Sequence, residues 1–111
     1  MPPRVDAKQL AETMIGAARE AVSDRWPQMQ ALAEVELRRL AQSIEDAGRL
    51  VAEGKITEAG ARHHTHMHQL TARSVLTTVE GLGLLTAEQA TQAAIRSVSA
   101  VVNRTLKFAL L

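Results

Sequence analysis

The chain reads as an all-α protein: an antiparallel helical hairpin with flanking helices, forming an up-down four-helix bundle that dimerisation completes. Three observations lead there. Aromatic residues make up only 2% of the chain, from Trp26 and Phe108. A core drawn from Ala, Leu, Val, Ile and Met, without Tyr, suits helices packed closely through small side chains rather than sheets. Apolar residues recur at steps of three and four over long stretches, and short stop-and-restart signals separate those stretches. At 111 residues the chain has the size of one domain, read here as 1–111.

After the Pro-rich start Met1-Pro2-Pro3, Asp6 suits an N-cap, and Leu10, Met14, Ala17 and Ala21 trace one face of a first helix over 7–23. Pro27 fits a first helical turn but not a helix interior, so the chain breaks near Asp24 or Arg25 and a second helix covers 27–52. Its seam is Ala33, Leu37, Leu40, Ile44, Ala47 and Val51, extended backwards by Trp26. Leu32, Val35 and Leu50 lie off that seam and ask for a further neighbour.

Glu53-Gly54-Lys55-Ile56-Thr57 combines a C-terminal glycine with an N-capping threonine, so the chain doubles back into a third helix over 58–80. Its apolar line is Ala61, Ala72, Val75, Val79 and Leu82, closed by Gly81 and Gly83. Thr86-Ala87-Glu88-Gln89 has the form of a capping box, with Leu85 placed to staple against Ala90. The fourth helix then spans 87–108, burying Ala94, Ile95, Val98, Val101, Val102 and Leu106. The second and third helices would each be roughly 35 to 40 Å long at their residue counts. The first is shorter and leaves part of the hairpin uncovered, which favours a homo-oligomer, most simply a two-fold dimer.

Composition narrows function mainly by exclusion. With a net charge of +1, 46% apolar and 23% charged residues, the chain carries no field that would draw it onto nucleic acid. The absence of cysteine removes disulfides, thiolate catalysis, iron–sulfur clusters and Cys-type zinc sites. Met1-Pro2-Pro3-Arg4-Val5-Asp6 lacks the apolar run of a signal peptide, and charged residues interrupt every later apolar stretch of spanning length. The expectation is a soluble, cytoplasmic protein.

All four histidines fall in one run, His63-His64-Thr65-His66-Met67-His68, on the third helix. His64 and His68 stand one turn apart and project close to the line of Ala61, Ala72 and Val75, whereas His63 and His66 point outward. Two imidazoles at i, i+4 can share a divalent transition metal such as zinc, nickel or iron, given a third ligand. Folding about Gly54 pairs positions summing to roughly 110. That pairing brings Glu45 to His64 as the candidate carboxylate. The opposing reading is neutral, half-buried histidines hydrogen-bonded to Glu45 or Glu58.

The hairpin plan resembles the small ferritin-like proteins, whose di-iron sites need a Glu-x-x-His on the helix. Three residues before His63, His64, His66 and His68 stand Gly60, Ala61, His63 and Thr65, so the likeness is one of architecture alone. Elsewhere Glu34, Glu36, Arg38, Arg39, Glu45, Asp46 and Arg49 make a mixed-charge helix surface. Arg96, Asn103, Arg104 and Lys107 give the fourth helix a cationic side, but its apolar side serves the bundle, which argues against a membrane surface. Met14, Met29 and Met67 read as core fillers and Trp26 as a core plug. Phe108-Ala109-Leu110-Leu111 is apolar enough to need a docking place. No catalytic residue or organic cofactor is assigned. The reading is a non-enzymatic protein acting by self-association or protein-partner binding, with metal binding through His64, His68 and Glu45 as the alternative.

Overall fold

Steps of three and four residues become helices that bury one stripe each. The computed structural model describes residues 4–111, so the Pro-rich start Met1-Pro2-Pro3 lies outside the described residues. The helices are α1 (Ala7–Val22), α2 (Trp26–Ala52), α3 (Glu58–Leu76) and α4 (Leu84–Leu106), with a single 3-10 turn at Ser23–Arg25. No strand occurs among the described residues. Helix α1 packs on both α4 and α2, α2 packs on α3, and α3 meets α4 more sparsely. The long axis of 43 Å matches the 27 residues of α2 at about 1.5 Å per residue. No helix among the described residues is long and apolar enough to cross a membrane.

The α2 seam is the spine of the core: Ala33, Leu37, Leu40, Ile44 and Ala47 are fully buried, with Met29 and Trp26 continuing it. Around it stand Leu10, Met14 and Ala18 of α1 and Ala87, Ala90, Ala94, Val98 and Val102 of α4. The alanines set a close approach of α1 and α4, where side-chain volume is small on both surfaces. The reversal after α2 uses Gly54 at φ 73, with Lys55 N–H donating to Leu50 O at 2.9 Å. Thr57 then caps α3, its side chain accepting from Gly60 N.

Several sequence expectations need correction. The third helix ends at Leu76 instead of residue 80, where the backbone tightens into a turn in which Val79 N–H donates to Leu76 O and Leu82 N–H to Val79 O. Gly81, at φ 79, completes the turn. The fourth helix starts three residues earlier than its capping box implies, with Gly83 as N-cap and no side-chain cap, and Leu85 is 69% exposed rather than stapled to Ala90. Val101 and Met67 are exposed, not core. Ser23, at φ 54, closes α1 without glycine and turns the chain through the 3-10 segment into α2.

The C-terminal segment docks on its own chain. Asn103 accepts from the Leu110 and Leu111 N–H groups through Oδ1 and donates to Leu111 O through Nδ2. Leu110 is buried, and Arg62 of α3 donates to Ala109 O. Asn103 therefore does not belong to a free cationic side of α4.

Candidate functional site

Helix α3 buries Ala61, Thr65, Ala72 and Leu76. A threonine sits in that stripe at little cost because its hydroxyl bonds Ala61 O and Arg62 O within the helix. With the buried face centred near Thr65, positions 64 and 68 fall on the flank toward α2 rather than on the core line. His64 is half-buried and His68 exposed, while His63 and His66 both face solvent.

The two flank histidines open into a groove of about 450 Å³ between α2 and α3. Its α2 wall sets Leu40 among Glu36, Arg39, Gln42, Ser43 and Asp46, and Thr71 extends the α3 wall. The His64 and His68 ring centroids are 4.5 Å apart, inclined at 60°. Glu36 is only 4% exposed and is held by Arg39 Nη1 at 3.2 Å. Asp46 Oδ1 receives Gln42 Nε2 at 3.0 Å and lies 3.5 Å from Arg49 Nη2. The His68 imidazole is lowered below its ordinary 6.5 by burial first and by the neighbouring His64 charge second, with Asp46 opposing both.

Of the three residues assigned to a metal from the sequence, the structure brings His64 and His68 together and leaves Glu45 elsewhere. Glu45 Oε2 accepts the Ala7 backbone N–H at 2.7 Å, placing the carboxylate at the start of α1. That position satisfies a free amide of the helix N-terminus and sets a negative charge at its positive end. The acids that line the groove are Glu36 and Asp46 of α2. Glu45 and Asp46 both flank the α2 seam, on opposite sides, and which flank meets α3 depends on the side on which α1 packs. No sequence signal fixes that hand. Among the described residues no three His, Asp or Glu side chains are gathered closely enough to hold a metal ion.

A second cleft, of about 610 Å³, lies where α2 ends beside the end of α4. Val51, Leu106 and Phe108 give it apolar walls, and Arg49, Glu53 and Lys107 give it charges of both signs. Gly48 brings α2 close to α4 there, since a Cβ at that position would stand 2.7 Å from Leu106 Cδ2. No family model, curated protein or solved structure matches this chain.

Proposed function

We propose that this chain acts by helix-mediated self-association, pairing the outer face of its α2–α3 hairpin with the same face of a second copy and so completing an up-down four-helix arrangement. The observation that carries the reading is the exposure of Val35 and Met67, at 45% and 48%, on the two adjacent helices of the hairpin. Leu50 of α2 is half-buried, whereas Leu32 packs against the chain's own core. Single exposed apolar residues are ordinary on any surface, but several on one face mark a contact surface. The charged groups between them, Arg39 and Asp46 among others, carry both signs, which suits an isologous pairing in which each copy offers its cation to the other's acid.

The test is the mass in solution over a concentration series, for the natural chain and for a V35K/M67K double variant. Both positions are exposed, so the lysines leave the core untouched. The natural chain is expected to approach twice its 12.0 kDa mass as concentration rises, and the variant to stay at one. A natural chain that remains monomeric throughout, or a variant of unchanged dimer mass, overturns the proposal.

A further inference from the structure

We propose that His64 and His68 form the core of a site for a borderline divalent transition cation, zinc in the first instance, with Asp46 of α2 joining them from across the groove. This goes beyond self-association and does not depend on it. The first support is geometry. An i, i+4 pair on one helix presents two imidazole nitrogens to a common point, and the 4.5 Å separation of the rings shows the two side chains already turned toward one another. Neither ring is taken up by an ion pair among the described residues, whereas Glu36, Asp46 and Glu53 are.

The second support is the chemistry of the groove. Imidazole favours zinc, copper, nickel and iron over calcium or magnesium, which prefer oxygen cages. A carboxylate in the facing wall offsets the cation's charge, and its Oδ1 partners, Gln42 and Arg49, are both exposed side chains that can turn away. Two imidazoles and one carboxylate are three protein ligands of the kind zinc accepts with water in the fourth place. The other histidines, His63 and His66, are both exposed and do not line the groove.

Since the three groups are not gathered in advance, binding must draw Asp46 across the groove, and the ion then ties α2 to α3. That separates a built site from casual histidine binding. Zinc chloride is titrated into the untagged full chain, followed by calorimetry and by thermal unfolding. At ten times Kd the melting temperature should rise by about 5 °C. H64A/H68A should abolish the rise, D46N should weaken binding about tenfold or more, and H63A/H66A should leave both unchanged. H68Q, at an exposed position, repeats the test with little demand on folding. Repeating the titration in V35K/M67K separates this proposal from self-association, because the rise should persist in the monomer. A rise that survives H64A/H68A, disappears in H63A/H66A or ignores D46N overturns the site, as does binding without stabilisation.

Discussion

Glu45 spends its carboxylate on the first helix. The first amides of α1 have no partner within the helix; Asp6 takes one, from Lys8, and Glu45 takes another, from Ala7, across a separation of 38 residues. Replacing Glu45 by alanine strands that amide and removes a charge from the helix's positive end, and should cost about 1 to 2 kcal/mol in denaturant unfolding. E45Q, which keeps an acceptor, should recover part of the loss; equal loss in both variants would show that charge alone matters. His68 gives a pH-dependent counterpart. Its folded-state pKa lies below the unfolded 6.5, so the unfolded chain binds the proton more readily, and stability falls as pH drops through 6.5 toward the folded value. The contribution is complete above the unfolded value. H68Q should therefore flatten the stability profile between about pH 7.5 and 5.5; a profile as steep as that of the natural chain would assign the dependence to other groups. Individual residues were legible in the sequence where a period constrained them, as with Ala33, Leu37 and Leu40. Glu45 and Asp46 were not told apart, because one residue step moves a side chain 100° around α2 and only the packed neighbours decide which direction faces α3.

Elements were most readable where propensity and burial agree. The α2 seam and the Gly54 reversal carry redundant signals, and the structure follows both. The α3–α4 connection carries competing ones. A capping box at Thr86 competes with a glycine three residues earlier, and the glycine begins the helix because Gly83, at φ 85, adopts an entry conformation closed to other residues. The apolar line of the third helix likewise runs on to Val79 and Leu82, yet the helix stops at Leu76 and a turn completed by Gly81, at φ 79, carries those two residues. The C-terminal segment depends on a single side chain. N103A removes three hydrogen bonds that hold Leu110 and Leu111, at a cost of about 1 to 3 kcal/mol. Amide exchange at Leu110 and Leu111 should rise with it while that of α2 stays slow. Unchanged protection at those two amides would mean that burial of Leu110 alone retains the segment.

At the scale of the whole molecule, the helices enclose a core with little aromatic content, and the remaining apolar side chains stand on its outer surfaces. Val35 and Met67 do so on the hairpin, Leu84, Leu85 and Val101 on α4. This is why the hairpin variant is the informative one for assembly: it alters the exposed apolar residues that stand on the two helices of the hairpin, Val35 on α2 and Met67 on α3. A two-fold pairing there would bring two histidine grooves close together, so loss of dimer in V35K/M67K with zinc stabilisation intact would establish two separate properties of one surface. That all the residues concerned lie on α2 and α3 was readable from the sequence. Which of them stay exposed depends on the packing of α1 and α4 on the other side.

Side chains that donate to distant backbone carbonyls tie the third helix at both of its ends. Arg25 Nη2 donates to the carbonyls of Gly81 and Leu82, and Gln28 Nε2 to that of Glu80, so the corner between α1 and α2 grips the α3–α4 turn. The two turns are thereby latched at one end of the molecule, while at the other Arg62 of α3 holds the carbonyl of Ala109. Loosening α3 at either end therefore takes the loss of an arginine's grip on a distant carbonyl, Arg25 at one and Arg62 at the other.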